Sequence, residues 1–229
     1  MELELAKIRE RLDRAADRLM LRLRDRTYFP QNLRVYEKDG IEIRGKEGVS
    51  FAEYALEELE KFHAKLGRFR YKDQVPLIYK PTKDECPVER DIPEEPIWDI
   101  HIELKDKLFP TYVELIKTIC NEGDDPTTYG ETVYCDADVL YLLADRIQVG
   151  RYVAEAKLRE DPSIADIVNN TDELRARLTR KDREKVVIQK GEDLAERYGL
   201  TRELGAKLFR TIIDLTLGLE VDYLKKRAV

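Results

Sequence analysis

Two cations eleven residues apart, Arg146 and Lys157, carry the first chemical signal in this chain, within Asp145-Arg-Ile-Gln-Val-Gly-Arg-Tyr-Val-Ala-Glu-Ala-Lys157. On a helix that spacing is close to three turns, which puts both heads on one face roughly 16 Å apart. Gly150, Val153 and Ala154 lie between them as a floor of small residues. Such a pair can hold a dianionic small molecule along the helix, but on spacing alone the ordinary reading is two solvated charges on an exposed face. Farther along, Thr216 and Glu220 stand at i,i+4 among Ile212, Ile213, Leu215, Leu217, Leu219 and Val221. A carboxyl buried among such neighbours has a raised pKa and prefers its neutral, proton-donating form. On the outer edge of an amphipathic helix it is an ordinary surface Glu. Arg9 follows the apolar Ile8 at the border of another helical stripe, one of several arginines there. Glu184, in Arg180-Lys-Asp-Arg-Glu184, has no local signal of its own.

The elements that must position these residues all read as helices. Ile8, Leu12, Ala15, Leu19 and Leu23 repeat at helical spacing over residues 2–25, which end near Pro30 and Asn32. Ser50 and Glu53 form a capping box, opening a helix to about Gly67 with Ala55, Leu59, Phe62 and Leu66 on one face. Pro76, Pro81, Pro87, Pro93 and Pro96 make 73–98 an ordered loop or an exposed excursion. A helix over about 100–121 contains Pro110, and one long helix is expected over about 130–159. Asp161-Pro162, Thr171 and Thr179 mark helix starts, and helices near 180–198 and 202–226 finish the chain. No apolar/polar alternation persists for long, so the expected fold is all-α: a single-domain helical bundle spanning 1–229.

Composition narrows the function. The 229 residues are 42% hydrophobic and 38% charged, with net charge −6. The acidic balance, without a long basic stripe, argues against a nucleic-acid partner. Val139–Ala144, the longest apolar stretch, is too short to cross a bilayer, so no membrane partner is expected. Glu2, Glu4 and Lys7 interrupt any secretory apolar core, and a cytosolic protein is expected. Cys86, Cys120 and Cys135 lack C-x-x-C spacing, and His63 and His101 lack companions at ligand spacing. Ordinary thiols and no metal site follow. Gly40-Ile-Glu-Ile-Arg-Gly45-Lys46 has the spacing of a phosphate loop, but Glu47 stands where Ser or Thr should hold magnesium. No cofactor is expected.

Together these positions resemble the all-helical chorismate mutases of fungi and plants. Arg146-Ile-x-x-Gly150-Arg-Tyr-Val-Ala-Glu-Ala-Lys157 is similar to that family's R-I-x-x-G-[KR]-[FY]-V-A-E-A-K signature almost throughout. Ile8-Arg9-Glu-Arg-Leu12, Arg24-Asp-Arg-Thr-Tyr-Phe29 and Glu220-Val-Asp-Tyr-Leu224 resemble its flanking motifs in the same order. The resemblance spans about residues 5–226. It implies a homodimeric enzyme with one site per subunit, rearranging chorismate to prephenate in aromatic amino acid biosynthesis. It also implies roles. Arg9 and Arg146 hold the substrate carboxylates, Lys157 and Glu220 meet the ether oxygen of the breaking bond, Thr216 lines the pocket, and Glu184 lies near the ring hydroxyl. Arg180 stands where the family can have Asn, so either the register shifts there or Arg180 supplies another carboxylate contact.

Relatives in the family carry a tryptophan and tyrosine effector site at the dimer interface, with an Arg pair opposite a Gly-Ser turn. Gly67-Arg68 takes the place of the pair here, and the turn reads Tyr129-Gly130-Glu131. A carboxylate replaces the hydroxyl facing the effector, so weak or absent regulation is expected at Arg68, Gly130 and Glu131. Two other functions fit the same fold: a non-catalytic regulatory or scaffold dimer, and an enzyme acting on a related enolpyruvyl acid such as isochorismate.

Overall fold

A computed structural model of the chain describes residues 3–82, 85–89 and 91–228. Glu2 of the first expected helix and positions 83, 84 and 90 of the proline-rich segment lie outside the described residues. Eight α-helices are found among those described: α1 Leu5–Arg26, α2 Phe51–Lys65, α3 Lys105–Ile119, α4 Tyr129–Gln148, α5 Gly150–Glu160, α6 Thr171–Leu178, α7 Lys181–Arg197 and α8 Arg202–Arg227. Extended pairing among these residues is limited to one isolated bridge, Ile43 to Lys46. The all-α expectation holds. None of these helices is long and apolar enough to cross a membrane.

Helix α1 packs on α4, α2 on α4, and α5, α6 and α7 each pack on α8. The shared core runs through Leu19, Met20 and Leu23 of α1, Leu140 and Ile147 of α4, and Ile212 and Leu219 of α8, all fully or nearly fully buried. The capping box at the start of α2 forms as read: Ser50 Oγ accepts from Glu53 N, and Glu53 Oε2 accepts from Ser50 N.

Four expectations change. The long helix over 130–159 is two helices meeting at Val149. At the joint, Tyr152 N bonds to Val149 O at 3.0 Å, and Val153 N reaches the same oxygen at 3.4 Å. Gly150 follows, and a Cβ there would lie 2.8 Å from Thr216 Cγ2 and 3.2 Å from Leu219 Cδ2. Only glycine admits α8 this closely. Helix α3 starts at Lys105 rather than near 100, because Ile102 and Leu104 are buried while His101 and Glu103 are exposed. That alternation belongs to extended chain. The caps at 170–181 also shift. Asn170, not Thr171, accepts from Glu173 N, and α7 begins at Lys181 after Arg180. Tyr129-Gly130-Glu131 is not a turn but the first turn of α4, following a 3₁₀ turn at Pro126–Thr128.

Several buried polar groups tie loops to this bundle. Glu60 of α2 is fully buried and accepts from the amides of Leu77, Ile78 and Tyr79 at 2.5, 3.0 and 2.8 Å. That contact orders the first part of the proline-rich segment. Arg151, also fully buried, donates to the carbonyls of Lys72 and Ile100. Between α1 and α4, Arg26 Nε meets Asp136 Oδ1 at 2.7 Å with both side chains out of solvent. Tyr112 and Tyr36 donate to the same carboxylate at 2.6 and 2.8 Å. Buried charge persists where such bonds satisfy it.

Candidate active site

The contact between α5 and α8 brings two of the sequence-predicted residues into direct contact. Lys157 Nζ lies 2.7 Å from Glu220 Oε2, and it also donates to the Leu178 carbonyl at 2.8 Å, at the C-terminus of α6. The pair is sheltered, with side-chain exposures of 14% and 5%. Glu220 follows from the apolar run of α8, which places its position against the core between Leu219 and Val221, both buried. Burial pushes its carboxyl above the usual range, partly opposed by the charge and hydrogen bond of Lys157.

Thr216 sits one turn before Glu220 on α8. Its hydroxyl donates to Ile212 O at 2.7 Å, and its methyl fills the space over Gly150. Gly150 is therefore not the floor of an open groove, as its spacing from Arg146 and Lys157 suggested. It serves the close approach of α8.

Arg146 lies in the last turn of α4. It is 6% exposed, its Nε has no hydrogen-bond partner, and no carboxylate among the described residues pairs with it. Its guanidinium carbon lies 5.2 Å from the centroid of Phe209 on α8. Burial lowers its pKa to about 10, offset slightly by the charge of Asp13 on α1. Even so lowered, Arg146 remains a cation at neutral pH. A buried cation without a counter-charge is costly unless a ligand supplies one.

Arg9 is exposed on the first turns of α1. Its pKa is lowered first by partial desolvation and then by the charges of Arg183 and Arg180 on either side of the start of α7, with Glu160 of α5 opposing. Arg180 Nη2 lies 3.8 Å from Glu160 Oε2. One rim therefore gathers three arginines and one carboxylate from α1, α5 and the α7 N-terminus. Glu184 is half-buried in the first turn of α7, its amide bonded to Arg180 O at 3.0 Å. The sequence reading missed Arg183, Phe209 and the Leu178 carbonyl. Arg183 was findable one turn after Arg180, but a ring stacked under a guanidinium and a helix-end carbonyl leave no mark in spacing. No three His, Cys, Asp or Glu side chains among the described residues gather to hold a metal.

The Lys157–Glu220 contact sets an ammonium beside a carboxyl group in a sheltered place, with the buried guanidinium of Arg146 on the preceding helix and the exposed guanidinium of Arg9 on α1. A family description, Chorismate mutase type II, matches residues 128–221, the stretch holding Arg146, Lys157 and Glu220. Chorismate mutase 1, chloroplastic, of Zea mays is 30% identical over 211 residues, covering 90% of this chain and 67% of the relative. The chain belongs to the chorismate mutase family. The Saccharomyces cerevisiae chorismate mutase is 29% identical over 247 residues, covering 98% of this chain and 95% of that protein. Among solved structures, Aro7p chorismate mutase from Candida albicans in complex with L-Trp superposes with a TM-score of 0.90 at 27% identity, over 98% of this chain and 92% of that one. The enzyme thus shares its fold with that mutase along almost its whole described length.

Proposed function

We propose that the enzyme rearranges chorismate to prephenate, with Arg146 and Arg9 holding the two substrate carboxylates. Lys157 and Glu220 act on the ether oxygen. The observation that carries this reading is Arg146, a buried guanidinium with no ion-pair partner among the described residues, on the helix that leads into the Lys157–Glu220 pair. A substrate carboxylate would complete it through the planar, two-pronged geometry that suits Arg.

The reaction is an intramolecular Claisen rearrangement. One C–O bond breaks as one C–C bond forms, and neither a proton nor an electron is gained or lost overall. The protein's work is to hold the extended ether in its compact reactive shape and to stabilise charge gathering on the ether oxygen. Lys157 has three N–H donors, two of them engaged by Glu220 and Leu178 O, which leaves the third for a ligand oxygen. Glu220 can donate to the same oxygen when protonated, and burial favours that form. Thr216 lines the pocket, Glu184 faces the ring hydroxyl, and Arg180 adds positive charge at the rim beside Arg9. The reading includes a homodimer, supported by exposed Phe62 on α2, Leu66 just past its end and Tyr134 on α4, and a cytosolic setting.

The test is chorismate loss by ultraviolet absorbance with identification of prephenate. Rapid conversion is expected. Folded protein that leaves chorismate intact but converts isochorismate overturns the substrate, and protein inert to both leaves a binding role.

A further inference from the structure

Glu155 lies two residues before Lys157 on α5, is 2% exposed, and takes no part in the chemistry above. Its Oε1 accepts from Tyr223 Oη at 2.7 Å and from Arg227 Nε at 2.5 Å, both on α8. Glu220, Tyr223 and Arg227 stand at i, i+3 and i+7, one stripe of α8. Helix α5 is therefore bonded to a single stripe at two heights, by Lys157 to Glu220 and by Glu155 to Tyr223 and Arg227. Gly150 against Thr216 sets the approach of the two helices at the other end.

Tyr223 is completely buried, and its hydroxyl also accepts from the Trp98 amide at 3.0 Å. Arg227 in turn covers the Trp98 ring, with its guanidinium carbon 5.1 Å from the centroid. The end of the proline-rich segment is thus clamped by the two groups that hold Glu155. A carboxylate this deeply buried and doubly bonded is costly to keep unless it fixes a geometry. The geometry it fixes is the rotation and height of α5 on α8, and Lys157 is carried on that helix.

We propose that Glu155 is a positioning residue for Lys157: by bonding Tyr223 and Arg227 it holds α5 in the register that places the Lys157 ammonium against Glu220. The proposal rests on the reading that Lys157 acts on substrate. It differs from a purely structural role in one respect, because the effect of losing Glu155 on turnover passes through Lys157. Small displacements of a catalytic group are costly, up to about 100-fold for about 1 Å.

The experiment is a double-mutant cycle on turnover with full-length protein: Glu155→Ala, Lys157→Ala and the double variant, each with a thermal melt. Glu155→Ala is expected to lower kcat about tenfold or more with KM changed less than about threefold, and to add nothing in the Lys157→Ala background. Glu155→Gln, which keeps an oxygen for both donors, is expected to recover most of the lost kcat. Tyr223→Phe removes one bond while leaving Glu155 in place, and an intermediate loss of kcat is expected of it. It keeps the question open to decision if Glu155→Ala does not fold. A lower melting temperature with wild-type kcat in Glu155→Ala, or in Tyr223→Phe where Glu155→Ala does not fold, overturns the proposal, as does additivity in the cycle. Near-normal turnover of Lys157→Ala overturns the site reading itself, whatever Glu155 does.

Discussion

Lys157 Nζ stands 2.7 Å from Glu220 Oε2 in a sheltered contact, so the ionisation of one sets the usefulness of the other. Burial raises the Glu220 pKa above the ordinary carboxyl value despite Lys157. The proton-donating form is held below that raised value and lost as pH rises through it. Turnover is therefore expected to be higher at acidic pH and to decline as Glu220 ionises. Glu220→Gln donates at every pH, and its kcat profile should be flatter than wild type on that limb. Superimposable profiles would assign the titration to another group. The same raised pKa has a stability consequence. The folded protein holds this proton more tightly than the unfolded chain, so the contribution is complete below the ordinary carboxyl pKa and fades as pH climbs through the raised one.

Lys157 itself is the more direct donor. Its loss removes a preorganised cation from the place where charge develops, and kcat for Lys157→Ala should fall by about 100-fold or more. Turnover measured on protein with wild-type circular dichroism decides this. Near-normal turnover would remove Lys157 from the mechanism.

Arg146 sets function against stability. With its Nε unpaired and its charge buried over Phe209, the substrate-free enzyme carries a buried cation that the charge of Asp13 offsets only in part. Arg146→Met should raise stability by about 1 kcal/mol in urea unfolding while reducing activity at least about 100-fold. A dianionic transition-state analogue should raise the melting temperature of wild type and leave the variant unmoved. A destabilised variant that still binds the analogue would show that Arg146 is structural.

Asp136 tests the opposite case, a buried charge fully paired. Removing it strands Arg26, and Asp136→Ala should cost about 3–5 kcal/mol in urea unfolding. Because the pair lies at the α1–α4 contact away from Lys157, the surviving folded fraction should keep its KM. A loss below about 1 kcal/mol would mean that Arg26 finds other partners, among them the Phe29, Pro30 and Gln31 carbonyls it already reaches.

Much of this fold is legible in the sequence. Period-3.6 stripes placed the helices, and Ser50 with Glu53 fixed the start of α2 because a capping box is local chemistry. The break at Val149 was not legible. It arises from a contact between Gly150 and Thr216, sixty-six residues apart in the chain, and only the fold brings them together. The identity of Lys157 and Glu220 as a pair came from family resemblance, since i,i+4 patterns within α8 say nothing about α5. The buried Arg26–Asp136 pair escaped for the same reason. An Arg at the end of one helix and an Asp within another look like surface charges until the helices are docked.

Regulation is expected to be weak or absent, and the partners of Arg68 support that expectation. Its Nη2 donates to Gln74 Oε1 at 3.0 Å, its Nη1 lies 3.3 Å from His63 Nε2, and its guanidinium carbon is 4.9 Å from the Tyr141 ring centroid. Gln74 continues to Asp145 at 3.2 Å, so these donors already serve the α2–α4 contact. Burial and the charge of Arg68 lower the His63 pKa to about 4, which keeps the ring neutral near pH 7 and its Nε2 available as an acceptor. An effector carboxylate would have to displace these bonds. Glu131, exposed in the first turn of α4, is favoured by the helix dipole but repels a carboxylate. Saturation with chorismate should therefore be unchanged by tryptophan or tyrosine at concentrations well above those of substrate. A sigmoidal curve that tryptophan makes hyperbolic would show that Arg68 leaves Gln74 to bind the amino acid, and that Glu131 is no barrier to it.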